Sequence, residues 1–285
     1  MKLILSTLLV SILLLSCGRQ YRQEGKPVIM VSILPQKTFV EKITGDDFHV
    51  SILIPHGANP STYTLLPAQM ADISNALIWF RMGYVGFELS FAEKIIQANS
   101  SMKVVDLSEG LDLIAHGRGD SGRLTGVDPH IWLSPALVKK MAAAMLHQLI
   151  EISPAQKQKY EQNFKNFIRE IDETDAGIRK LLSGFEGRQF ITFHPSLSYF
   201  AREYGLVQLS LQQGGKDPTP AHIAQLVDAA ESEKIRTIYI QSDFDRENAR
   251  MFANEIGGEV VQVWPLNPAW SENLLNMAQL LRDNF

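Results

Sequence analysis

Of the seven histidines in this 285-residue chain, His56, His130 and His194 stand where chemistry could be done. Each falls on a loop or short connector beside a proline, as Pro55-His56, Pro129-His130 and His194-Pro195, rather than inside a periodic element. Neutral imidazole is a common ligand for zinc and related metals, and two or three such rings meeting in a cleft make a site without any local spacing signature. Spacing alone favours the plainer alternative of three capping or surface histidines. Other chemistries lack their motifs. No glycine-rich phosphate loop or dinucleotide fingerprint follows the first predicted strand, no serine sits in a nucleophile elbow, and no His-Glu-x-x-His occurs. A metal-dependent hydrolase would need a general base beside the histidines, and none is evident. The chain is therefore not expected to be an enzyme.

The elements that must position these rings alternate between short apolar β-branched runs and helical patterns. Val28–Leu34 reads as a buried strand ending at Pro35, followed by a helix over Gln36–Thr44. The predicted strand His49–Ile54 runs into Pro55-His56-Gly57-Ala58-Asn59-Pro60-Ser61, a shaped loop at a strand's carboxyl end, where open α/β sheets bind ligands. Helix over Pro67–Asn75, strand Ala76–Phe80, a helix to Gln97 and strand Lys103–Leu107 follow. Ser108–Val127 is aperiodic and glycine-rich, and is expected to be a mobile surface loop carrying His116. Asp128-Pro129 then turns the chain and holds His130 just before Ser134-Pro135, which reads as N-cap and first position of a helix.

A longer helical pattern runs from Ser153 to about Ser183, roughly 45 Å at 1.5 Å per residue, long enough to cross between lobes. The alternation restarts at Gln189–Phe193, which delivers His194 with Pro195 expected to open the next helix. The expected fold is α/β: two doubly wound α/β lobes joined by one long backbone helix. The expected divisions are an N-terminal lobe at 27–152, the connecting helix at 153–184 and a C-terminal lobe at 185–285. Such a connector implies modest closure rather than a wide hinge.

Met1 and Lys2 followed by the apolar run Leu3–Leu15 form an export signal too short to span a bilayer comfortably. Leu14-Leu15-Ser16-Cys17 places the only cysteine where a bacterial lipobox needs it. Residues 1–16 are thus expected to be removed, with Cys17 lipidated and 17–26 acting as a tether to a bacterial membrane, on its periplasmic or cell-surface side. A net charge of −4 and the absence of a Lys/Arg run exclude an electrostatic footprint for nucleic acid.

GVDPHIWLSP (Gly126–Pro135), ITFHPSLSYFAREYGL (Ile191–Leu206), GANPSTYTLLP (Gly57–Pro67) and, more weakly, QSDFDRENARMFANEIGG (Gln241–Gly258) resemble the zinc and manganese solute-binding proteins of ABC transporters. The resemblance covers the chain from Pro27 onward. It implies that His130 and His194 are metal ligands, one from each lobe, in a monomeric receptor that hands a divalent metal to a membrane permease. The chain departs from the family pattern at Ser61, where a histidine is usual after the proline, and at Trp264, where many members carry an aspartate. Gln241 stands where a glutamate is common. His56, five positions before Ser61 on the same loop, could replace the missing nitrogen donor and complete an open three-nitrogen site. Zinc is expected over manganese because the surviving ligands are nitrogen donors. Glu88, Asp128, Asp243 and Asp245 are candidate oxygen donors but are expected rather to be caps or solvated charges, and Trp132 and Tyr63 walls of the cleft. The departures also motivate an alternative: a surface lipoprotein that has lost metal transport and acts as an adhesin or partner-binding protein.

Overall fold

Two small parallel sheets carry the molecule, each built from β-branched and aromatic runs buried on both faces by helices. The computed structural model describes residues 25–118, 124–213, 216–241 and 246–285. The expected signal segment, Cys17, most of the tether, Asp243 and Asp245 lie outside the described residues. In the first half, strands β1 (Val28–Val31), β2 (His49–Ile52), β3 (Ala76–Arg81) and β4 (Lys103–Asp106) alternate with helices α1 (Leu34–Thr44), α2 (Met70–Asn75) and α3 (Gly86–Ala98). They pair in the order β2-β1-β3-β4, all parallel. After β5 (Ala115–Arg118) and β6 (Leu124–Val127) come α4 (Pro135–Ile152) and the long α5 (Lys157–Leu182). The second half holds β7 (Gln189–Thr192), α6 (Ser198–Tyr204), β8 (Val207–Ser210), α7 (Pro220–Glu233), β9 (Thr237–Ile240), α8 (Arg246–Glu255), β10 (Glu259–Gln262) and α9 (Trp270–Asp283). Its sheet order, β10-β9-β7-β8, is the same 2-1-3-4 winding seen from the other edge. In both sheets the order reverses beside the first strand, the place where such folds bind ligands.

Helix α5 buries one stripe, Tyr160, Phe167, Ile171, Thr174, Ile178 and Leu182, at the three-to-four-residue spacing of a helix face. That stripe lies against α1, α4 and α9, so one hydrophobic core runs from the first sheet through these helices to Phe190 and Tyr239 of the second. Phe39 of α1 meets both Phe167 (5.6 Å between ring centres) and Trp270 of α9 (5.5 Å, edge-on). Full burial of each such ring contributes about 1.5–3 kcal/mol. A smaller core behind the second sheet joins Ile191, Phe193, Leu226, Ile238 and Phe252.

Several expectations are corrected. Residues 108–127 are not wholly an aperiodic loop, because β5 and β6 pair as an antiparallel hairpin. Its base is pinned: the Asp128 amide donates to the Ile114 carbonyl at 2.9 Å, and the Ile114 amide donates to the Tyr199 hydroxyl at 3.0 Å. Pro195 does not open a helix. The Ser196 amide turns back to the His194 carbonyl and the Leu197 amide is taken by the Gln208 side chain, so α6 starts only at Ser198. The connecting α-helix is shorter than expected, because Pro154–Gln156 is a 3-10 turn, and its 26 residues span ~39 Å. Ser134 caps α4 as expected, its hydroxyl accepting from the Leu137 amide with Pro135 at the first helical position.

Candidate metal centre

His130 is locked before any ligand arrives. Asp128 Oδ1 accepts from the His130 amide at 2.9 Å and from Nδ1 of the His130 ring at 2.7 Å, which puts the ring's lone pair on Nε2. Burial works against ionisation of Asp128, but the neighbouring His130 and the hydrogen bonds from His130 and Ser198 outweigh it and hold the carboxyl below its usual range. The backbone of Asp128 is fixed in turn, since its carbonyl accepts from the Tyr199 hydroxyl of α6 at 2.9 Å. Asp128 is therefore neither a cap nor a solvated charge, as expected from sequence, but the residue that aims His130. The Asp-x-His spacing was the available signal.

On the facing lobe, His194 leaves the carboxyl end of β7. Its Nδ1 lies 3.0 Å from Oε1 of Gln212, so this ring too carries its lone pair on Nε2. Gln212 was not foreseen, because it reaches His194 only through the pairing of β7 with β8, which also joins the Gln212 amide to the Phe193 carbonyl at 2.9 Å. The two imidazoles stand edge to face with centres 5.5 Å apart. Two imidazoles on one tetrahedral zinc at about 2 Å have ring centres roughly 5 Å apart, so this spacing suits a shared metal.

Trp132 lies against His130, with ring centres 5.2 Å apart. It is also an inter-lobe clasp: its Nε1 donates to the Pro265 carbonyl at 2.8 Å, and Trp270 Nε1 donates to the Trp132 carbonyl at 2.7 Å. Tyr63 packs at a tilt against Phe87, ring centres 5.6 Å apart, instead of lining the cleft.

His56 is exposed and faces Trp264 with ring centres 6.3 Å apart, across a cleft of about 370 Å³ between the 55–60 loop and residues 264–267. Among the described residues no group of three or more His, Cys, Asp or Glu side chains is close enough to hold a metal. The expected three-histidine cluster is thus not assembled here: the large Trp264 ring is what His56 meets across the cleft. The Ser61 amide donates to Asn59 Oδ1 at 2.9 Å, and the Pro60 carbonyl accepts from the Phe87 amide at 3.0 Å, so the loop rests on the start of α3.

That support has a charged foundation. Glu88, expected as a cap or solvated charge, is completely buried and accepts from the Met82 and Gly83 amides, both at 2.7 Å, beside the Arg81 guanidinium at 3.8 Å. Burial pushes its carboxyl up to about 7 against the pull of those donors. Gly83 has φ +99°, and a Cβ there would lie 2.3 Å from Ser108 Oγ, so only glycine fits the turn. His49 and His147 are exposed, and His222 lies 2.8 Å from the Ser210 carbonyl through Nε2, consistent with their reading as ordinary structural or surface residues.

The chain matches the model of the family described as zinc-uptake complex component A, periplasmic, over residues 29–285. It is 28% identical over 242 residues to the high-affinity zinc uptake system protein ZnuA of Bacillus subtilis, covering 81% of this chain and 76% of that one. To the zinc-binding lipoprotein AdcA of Streptococcus pneumoniae it is 25% identical over 278 residues, 93% of this chain but 55% of AdcA. The chain thus spans just over half the length of that relative. Among solved structures it is similar to a crystal structure of ZnuA at 36% identity, TM-score 0.83, covering 91% of this chain and 99% of that one. A zinc-bound ZnuA deletion mutant matches at 36% identity with TM-score 0.84, covering 91% and 98%.

Proposed function

The chain belongs to the zinc-uptake complex component A family, and from that premise we propose that it is the extracytoplasmic solute-binding component of an ABC importer, capturing zinc for a membrane permease. The observation that carries this is the pair His130 and His194, one from each lobe, each with Nδ1 against a side-chain oxygen and ring centres 5.5 Å apart. Zinc accepts such nitrogen donors, whereas manganese favours oxygen. His130 and His194 are the core of the ligand set, and His56 is its third donor, recruited when the 55–60 loop swings its ring off Trp264. The chain acts as a monomer without catalytic turnover or nucleic-acid partner. It is held at a bacterial membrane, on the periplasmic or cell-surface side, by lipid on Cys17, with 27–152 and 185–285 as lobes on the 153–184 connector. The adhesin alternative is not favoured. That alternative supposed metal transport lost, whereas the chain keeps an oriented histidine pair; the laminin-binding neighbours share only the fold, at 21% identity.

Calorimetric titration of metal-stripped protein tests this. The intact chain should bind one zinc tightly, and His56→Ala should weaken binding roughly tenfold or more, about 1.4 kcal/mol per decade. Unchanged affinity in that variant would remove His56 from the ligand set, and no zinc binding by the intact chain would end the transport reading. Asp128→Ala is expected to lower zinc affinity about 10- to 100-fold by freeing the His130 ring. An affinity within twofold of the intact chain would show that Asp128 does not orient the ligand.

A further inference from the structure

We propose that Tyr199 is a positioning residue for the metal: from the lobe that carries His194, its hydroxyl sets the direction of His130 on the other, and with it the zinc affinity. This rests on the zinc-binding reading above. The observation is the way the base of the β5–β6 hairpin is closed. Ala115 stands opposite Val127 in that antiparallel pair, so one step further brings Ile114 opposite Asp128. Two residues facing each other in a hydrogen-bonded antiparallel pair exchange both of their N–H···O bonds. Here one is direct, from the Asp128 amide to the Ile114 carbonyl at 2.9 Å. The other runs through Tyr199: the Ile114 amide donates to the hydroxyl at 3.0 Å, and the hydroxyl donates to the Asp128 carbonyl at 2.9 Å.

The hydroxyl thus acts as a spacer of fixed length. Without it, the Ile114 amide and the Asp128 carbonyl either lose a partner each or close to a direct bond of about 2.9 Å. Either change moves the Asp128–Pro129 peptide, on which His130 is mounted. The Asp128 side chain moves with it, and its Oδ1 is the acceptor that holds both the amide and Nδ1 of His130. Ligand groups have to be held within about 0.5 Å and 10–20° of their productive geometry, so a displaced peptide is felt at Nε2.

Tyr199 is itself firmly held. Its side chain is completely buried, and the Arg202 guanidinium lies 5.1 Å over its ring. Arg202 is tied in turn to the Asp112 carbonyl at 2.9 Å and to its carboxylate at 3.3 Å. Burial pushes the Tyr199 phenol up to about 12, so the hydroxyl keeps the proton it donates. The helix that carries it, α6, begins four residues after His194, and its start is braced to β8: the Leu197 amide donates to Gln208 Oε1 at 2.7 Å, and Gln208 Nε2 donates to the Ser198 hydroxyl at 3.0 Å. The same helix also holds the far side of the His130 segment, where the Glu203 carboxylate accepts from the Ala136 amide at 3.1 Å and from the Ser134 hydroxyl. One short helix therefore fixes the mounts of both rings, and Tyr199 is where it grips the Asp128 carbonyl.

The test is made on Tyr199→Phe, by zinc titration of the metal-stripped full chain and by the solvent-exchange rate of the His130 Nδ1 proton, followed by NMR in the metal-free chain. Zinc affinity should fall roughly tenfold with one zinc still bound, as for a residue that orients a ligand, and the proton should exchange about tenfold faster. Tyr204→Phe, which removes the bond from the same helix to Asp175 Oδ1 at 3.0 Å, should stay within twofold of the intact chain in both readings. In an Asp128→Ala background, where the ring is already free, Tyr199→Phe should cost less than a further twofold. Affinity within twofold of the intact chain, an unchanged exchange rate, an equal loss in Tyr204→Phe, or the full loss repeated on Asp128→Ala each overturns the proposal and leaves zinc capture standing. If the intact chain binds no zinc, the zinc-binding reading fails and the exchange rate alone decides: a faster proton keeps Tyr199 as the residue that holds His130, and an unchanged one removes it.

Discussion

Replacing His130 and His194 together by alanine is expected to abolish zinc binding, lowering affinity by at least roughly 10⁴-fold. Zinc sites in proteins are held by apparent free energies of about 10–16 kcal/mol when all ligands are present, and within the proposed ligand set His130 and His194 are the donors already aimed by side-chain partners. Each ring presents Nε2 because Asp128 or Gln212 fixes Nδ1, so alanine removes a donor whose orientation was already set. The check is zinc-dependent thermal stability. At a hundredfold excess over Kd a one-site ligand raises stability by about 2.7 kcal/mol, and the double variant should gain nothing. Measuring the shift on adding zinc separates lost binding from any weakening of the metal-free protein. A full zinc shift in the double variant would sink this site.

The second large effect is on stability. Trp270→Ala is expected to destabilise the protein by about 3–5 kcal/mol, the range for truncating a buried aromatic. Trp270 is 3% exposed, packs edge-on against Phe39 and donates to the Trp132 carbonyl, so the change opens a cavity and leaves a buried acceptor unmet. Trp270→Phe keeps most of the packing but not the donor, and should cost less than half as much. Urea unfolding at constant m-value measures both. A loss under 1 kcal/mol for the alanine variant would mean the inter-lobe clasp contributes little.

Much of this architecture could be read in the chain because its signals are local. Ser134-Pro135 caps a helix whatever surrounds it, and the buried runs at 28–31 and 237–240 announce parallel strands by composition. The histidines at strand ends were visible for the same reason. What escaped depends on contacts between distant parts of the chain. The β5–β6 hairpin is anchored by Tyr199, eighty-five residues past Ile114. Gln212 meets His194 through strand pairing, and His56 meets Trp264 across the lobes, where no spacing rule reaches. Asp128 was legible but misread: two residues before a histidine it looks like any turn aspartate until the ring is seen folded back on it.

The braces between the halves also bear on how quickly cargo can be exchanged. Trp132 on Pro265, Trp270 on Trp132 and Thr38 on the Pro268 carbonyl tie both sides of the cleft floor, and α5 lies along the core beneath them. Swinging whole lobes apart, a microsecond-to-millisecond event where it occurs, would break all of these at once. Side-chain flips and movements of a short loop such as 55–60 belong to the nanosecond-to-microsecond range. With the proposed ligand set, the residence time of the cargo is expected to follow the strength of the coordination bonds and not the rate of a slow gate.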